Sequence, residues 1–135
     1  VSKRVFLGGT CNGSTWRGRM IHYLKKVGLE WFDPAVGDWN KKAQANELKE
    51  RKECDFCLYV ITPKMIGTYS IAELIDDCHK RPYKTVFVPL RQDDGFRFND
   101  SEWRSLINVK KMVERIGGHT EAWLSDAAQW MGSRR

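Results

Sequence analysis

The sequence predicts an α/β fold: a single doubly wound domain, Rossmann or flavodoxin-like, with a central parallel sheet of about four or five strands. Two observations predict the class. Short β-branched and apolar runs alternate with segments whose apolar residues recur every three or four positions, as strands followed by helices do. Such alternation places a parallel sheet between helices on both faces, joined by right-handed crossovers. A third observation sets the size. The chain has 135 residues, which suits one domain over 1–135 with enough length to bury a core without disulfides.

Residues 4–8 form the first strand, and Gly8-Gly9 stops it. Ser14 can cap a helix whose apolar face is Trp16, Met20, Tyr23, Leu24 and Val27, ended by Gly28. Residues 30–32 are a short second strand, because Asp33 precedes Pro34 and is pushed out of helical geometry. Residues 34–40 are a loop. Residues 41–53 are polar and rich in helix formers, which predicts a largely exposed helix. The most strand-like run is 56–62, closed by Pro63. Gly67 and Thr68 lead into a helix over 69–78, and 85–90 is another buried strand. A polar loop over 91–99 and two helices over 100–116 and 121–131 complete the chain.

Composition excludes several classes. A mean hydropathy of −0.55, with no run near the roughly 20 apolar residues of a membrane span, argues against insertion in a bilayer. The opening residues run straight into a strand pattern, so no signal peptide and a cytoplasmic location are expected. Lysine and arginine number 23 against 17 aspartate and glutamate, a net charge of +6 that suits anionic ligands. The basic residues are scattered, so a nucleic-acid partner is not expected. Cys11, Cys54, Cys57 and Cys78 are expected to be buried structural thiols, since Cys54-x-x-Cys57 has no second pair. His22, His79 and His119 do not cluster; neither a metal nor a cofactor is expected.

Doubly wound sheets bind ligands outside the carboxyl ends of their strands, which selects four loops. The first, 8–14, offers Gly8, Gly9, Thr10 and Asn12 either as an anion-binding turn at a helix N-terminus or as a plain tight turn. The second gathers Asp33, Asp38 and Trp39; Trp39 is either a base-stacking ring or a core residue. The third, 62–70, is followed by Glu73 among Ile71, Ala72, Leu74 and Ile75. A carboxylate there is costly to bury, and the helix N-terminus would keep it ionised. Ser70 and Glu73 also have the spacing of a capping box. The fourth loop is 90–98.

Taken together, Val5-Phe-Leu-Gly-Gly-Thr10, Ser14-x-Trp16-Arg17, Phe32-Asp-Pro34 with Asp38-Trp39, Cys54-Asp55-x-x-Leu58-Tyr-Val-Ile-Thr-Pro63 and Gly67-x-Tyr-Ser70-Ile-Ala-Glu73-Leu resemble the nucleoside 2-deoxyribosyltransferase-like family, in the small branch that carries the Trp-Arg and Asp-Trp motifs. The resemblance spans about residues 4–90. It implies that Glu73 attacks the anomeric carbon of a 2-deoxyribonucleoside and expels the base, leaving a deoxyribosyl ester that a second base or water resolves. It implies Asp55 beside the sugar or base, Gly8, Gly9 and Thr10 along the sugar or phosphate, and Trp16 or Trp39 against the base. Arg17, Thr68 or Ser70 would hold a phosphate. The transferases of that family carry a tyrosine where this chain has Phe6 and an aspartate where it has Gly67; Tyr69, four residues before Glu73, is the hydroxyl that replaces the former. Members are often homo-oligomers whose neighbouring subunit completes the site.

Three functions follow. The first is cleavage of the N-glycosidic bond of a nucleoside or its 5′-monophosphate through Glu73, Asp55 and Tyr69. The second is a nucleotide-binding module that kept the pocket and lost turnover, motivated by Phe6 and Gly67. The third is a small basic nucleic-acid-binding protein, motivated by net charge alone.

Overall fold

Residue patterning along the strands explains the layers. In a strand, successive side chains point to opposite faces, and β1 (Arg4–Gly9), β3 (Phe56–Ile61) and β4 (Thr85–Pro89) are buried on both. Val5, Leu7, Leu58, Val60, Val86 and Val88 meet α1 (Trp16–Lys26) and α5 (Leu124–Gly132) in one apolar cluster. Phe6, Cys57, Tyr59, Ile61 and Phe87 face α3 (Tyr69–Lys80) and α4 (Asp100–Ile116) in another. The edges are β2 (Glu30–Phe32), paired with β1, and a two-residue β7 (His119–Thr120), paired with Val86 and Phe87 of β4. All four pairings are parallel, in the order β2-β1-β3-β4-β7. This is the flavodoxin-like 2-1-3-4-5 winding, whose switch point lies between its first and third strands. The computed structural model describes residues 2–11, 13–35 and 40–134.

The helix α2 (Lys41–Glu53) differs from the others. Its buried residues are Glu50 and Arg51, so ion pairs rather than an apolar stripe fasten it to the body.

Several local expectations are corrected. The loop predicted over 91–99 contains a hairpin, β5 (Gln92–Asp93) and β6 (Phe96–Arg97), turned at Asp94 and Gly95 with φ of 51° and 78°. Positive φ at both central positions is what an Asp-Gly hairpin turn provides. Ser14 does not cap α1. Asp94 reaches back from the hairpin and accepts from the Thr15 N–H at 3.0 Å and the Thr15 hydroxyl at 2.6 Å. Ser70 and Glu73 form no capping box, since α3 begins at Tyr69; the box is Asn99 with Glu102, at the start of α4. Cys11 is exposed, whereas Cys54, Cys57 and Cys78 are buried, all as free thiols. Burial pushes the Cys54 and Cys57 thiols up to about 12. Among the described residues no helix is long and apolar enough to cross a membrane.

Candidate functional site

The strand β1 ends against β3 so closely that its last residue must be glycine. Gly9 has φ +123°, and a Cβ there would lie 2.0 Å from the Val60 carbonyl oxygen. The next residue ties two loops together: the Thr10 N–H donates to the Val60 carbonyl at 2.9 Å, and Thr10 Oγ1 accepts from the Thr62 N–H at 2.9 Å. Between these loops, at the switch point, lies a cleft of about 140 Å³ lined by Gly9, Thr10, Cys11, Met65, Ile66, Gly67, Tyr69 and Ser70.

A second cleft of about 160 Å³ lies along α3, lined by Arg51, Tyr69, Ala72, Glu73 and Asp76. Tyr69 belongs to both clefts, with its residue 69% exposed. The Glu73 side chain is only 11% exposed. Burial, then a hydrogen bond to Glu47 and the negative charge there, raise the Glu73 carboxyl to about 8 against the pull of Arg51. The shift is upward, toward the protonated form, and not the downward one that a helix N-terminus would give. Glu73 is the fifth residue of α3, past the first turn where the dipole acts. Arg51 Nη1 lies 3.4 Å from Glu73 Oε2.

The structure brings Gly9, Thr10, Gly67, Tyr69 and Ser70 together as predicted, with Glu73 in the adjoining cleft. Other expected residues have other work. Trp16 is fully buried and donates from its indole N–H to the Thr10 carbonyl at 2.7 Å, so its ring meets no base. Arg17 is 9% exposed; its guanidinium donates to the carbonyls of Thr10 at 2.7 Å and Leu7 at 3.0 Å and pairs with Asp33 at 3.2 Å, which leaves no free fork for a phosphate. Asp33 is engaged by Arg17 and by the Ala35 N–H at 2.9 Å. Gly8 lies under the Tyr59 ring, where a Cβ would come within 2.6 Å, and not on the cleft. Asp55 stands before β3, at the opposite end of the strand, roughly 20 Å from the loops at a strand rise of about 3.3 Å per residue; it accepts from the Arg4 N–H at 2.8 Å. Among the described residues, Tyr69 makes no hydrogen bond to Glu73. Asn12, Asp38 and Trp39 lie outside the described residues.

Sequence reasoning missed the companions of Glu73. Glu47 and Arg51 are four apart on α2, hence on one face, and Glu73, Asp76 and Asp77 form the matching acidic stripe on α3. That complementarity of two helix faces was the available signal.

A parallel sheet in this order defines a doubly wound α/β protein with a cleft at its switch point, between the β1 and β3 loops, the place where such folds take ligands. The chain belongs to the nucleoside 2-deoxyribosyltransferase-like family, whose model matches residues 2–89. That span runs from before β1 to the end of β4 and includes both clefts. No curated protein matches the chain. Among solved structures, one described as a conserved protein from Enterococcus faecalis V583 superposes with a TM-score of 0.62 over 96% of this chain and 96% of that one, at 9% identity, and so shares the fold.

Proposed function

We propose that the protein cleaves the N-glycosidic bond of a (deoxy)nucleoside or its 5′-monophosphate, with Glu73 as nucleophile. The observation that carries this is the pairing of Glu73 with Glu47 beside Arg51, next to the switch-point cleft of a nucleoside 2-deoxyribosyltransferase-like chain. Two carboxyls that share one proton give an ionised oxygen and an acid in the same place. With its proton lost to solvent, Glu73 attacks C1′; the C1′–N bond breaks and its electron pair leaves with the base, which takes up a proton from solvent. A glycosyl ester of Glu73 results. Attack on C1′ by water or by a second base breaks the ester, frees the carboxylate and restores the original configuration. Gly9, Thr10, Gly67 and Ser70 contact the sugar or phosphate, and Tyr69, which lines both clefts, flanks the ligand where C1′ meets Glu73. A homo-oligomer belongs to the same proposal, with exposed Ile66 and Tyr69 at the rim as the surface to be covered.

The test is chromatographic. Incubation with deoxy- and ribonucleosides and their 5′-monophosphates, with and without an acceptor base, is expected to release free base from one class, and Glu73→Gln is expected to abolish it. Base release that survives in Glu73→Gln sinks the proposal. No product from any substrate, together with a thermal shift on adding nucleotides, replaces it with a binding module that has lost turnover; Phe6, which stacks on Phe32 and brings no hydroxyl to Glu73, is the observation favouring that second reading.

A further inference from the structure

Arg51 meets the Glu73 carboxyl with one nitrogen while the rest of its guanidinium is occupied, Nη2 in part by the Glu73 carbonyl at 3.4 Å. Nε donates to Asp77 Oδ2 and Nη2 to Asp77 Oδ1, both at 3.1 Å, so one edge of the fork is taken by a bidentate pair. Nη2 also reaches Asp76 Oδ2 at 3.0 Å. Only Nη1 is left, and it lies 3.4 Å from Glu73 Oε2. Behind Arg51, Asp77 is fully buried and saturated: Arg81 donates to its Oδ1 from Nε at 3.0 Å and Nη2 at 2.7 Å, and the Tyr59 hydroxyl donates to its Oδ2. The groups that face Glu73 are thus Glu47 and Arg51 from α2, Tyr69, Asp76 and Asp77 from α3, and Tyr59 from β3 through Asp77.

Two features argue that this is more than a fastener. Buried ion pairs are a weak source of stability, because desolvation offsets most of their attraction. The charges are also counted for the site: Arg51, Arg81 and Lys80 balance Asp76, Asp77 and Glu47, so the cluster is neutral when Glu73 holds a proton and gains a negative charge when Glu73 ionises. Among the described residues Arg51 is the one cation in contact with Glu73, and its aim is set by Asp77. We propose, resting on the glycosidic role given to Glu73, that Arg51 is a positioning residue for the Glu73 carboxylate, held in register by Asp77 and Tyr59.

Arg51→Lys tests this, since it keeps the charge and loses the fork; one ammonium cannot hold Asp77 and Glu73 together. The first measurement is the ionisation of Glu73, followed by ¹³C NMR of carboxyl-labelled glutamate and assigned by the signal missing in Glu73→Gln. The second is kcat and KM for base release. In Arg51→Lys the Glu73 midpoint is expected to rise by about one pH unit, and kcat to fall about tenfold or more with KM within about twofold. Tyr59→Phe frees Asp77 Oδ2 to draw Arg51 off Glu73, and is expected to move both quantities the same way by less. A folded Arg51→Lys with the wild-type midpoint and kcat overturns the proposal. Should Arg51→Lys fail to fold, Tyr59→Phe decides, and unchanged values there overturn it equally. Absence of base release by the wild type removes the glycosidic role alone; the titration of Glu73 still decides whether Arg51 sets its ionisation.

Discussion

Two buried arginines sit on either side of the switch point, and they are used in opposite ways. Arg17 is 9% exposed and Arg51 3%. Arg17 spends its fork on the carbonyls of Leu7 and Thr10, groups that never titrate, with half-exposed Asp33 as its one charged partner among the described residues. Arg51 spends its fork on Asp77 and Asp76 and extends one nitrogen to Glu73, whose proton is free to leave. The first fixes the shape of a loop. The second couples shape to ionisation. Burial alone therefore does not tell a structural arginine from one that acts on chemistry; the partner's ability to change charge does.

The largest expected effect breaks the first half of that contrast. Arg17→Ala removes the guanidinium donors from the Leu7 carbonyl and leaves the Thr10 carbonyl with the Trp16 indole N–H alone; an unsatisfied buried acceptor costs about 1–3 kcal/mol, and each hydrogen bond lost from a charged donor about 1.5–3 kcal/mol. A loss of about 3 kcal/mol or more in urea unfolding is expected, similar at pH 5 and pH 9 because the main acceptors do not titrate. Arg17→Lys should recover only part of it, since an ammonium lacks the planar fork. A stability loss that changed strongly with pH would mean that Asp33, not the carbonyls, is the partner that counts.

Next in size is the stability effect of Glu73→Gln, which sharpens the second half. Glu73 titrates near 8 in the folded protein against an ordinary value of 4.5. A raised folded-state value means that its contribution is fully present below about pH 4.5 and lost as the pH rises through about 8. Glutamine mimics the protonated acid at every pH. The variant should match the wild type near pH 4.5 and exceed it by a margin that widens up to pH 8, measured as denaturation midpoints across that range. A variant less stable at pH 8 would show that the carboxylate is held ionised by Arg51 and that the pairing with Glu47 does not raise it.

Much of the sheet was legible from residue order, because the apolar runs of β1, β3 and β4, buried on both faces, are a local property. The role of Trp16 and Arg17 was not. Their partners are backbone carbonyls in a loop six to ten residues earlier, and no spacing distinguishes a side chain that binds a ligand from one that binds its own main chain. Glu73 stood out as a carboxylate among apolar neighbours, with its role suggested by the resemblance, whereas Arg51 was hidden between Lys49 and Lys52 on a helix expected to be largely exposed. Its meaning depends on residues 22–26 positions away on α3. Asp55 misled for the reverse reason: it adjoins a central strand, but at the end away from the chemistry. The edge strand β7 has two residues, too few for any periodicity to show.

The smallest effect is expected at Asp94, and its pH dependence should run opposite to that of Glu73. Hydrogen bonds from the Thr15 hydroxyl and N–H hold the Asp94 carboxyl at about 2, with Lys64 and Arg19 adding attraction. A lowered folded-state value gives a contribution that is present above the ordinary aspartate range and lost as the pH falls through about 2. Asp94→Asn keeps an acceptor for α1 and loses the charge that favours a helix N-terminus. A slightly lower Tm than wild type is expected at pH 7, with the gap narrowing by pH 3, as followed by circular dichroism. The cause is a cap supplied from the β5–β6 hairpin to a helix some 80 residues earlier, so the variant also asks whether the hairpin is fastened to the β1 loop that Arg17 shapes. A gap that stays constant with pH would assign the difference to side-chain geometry and not to the Asp94 charge.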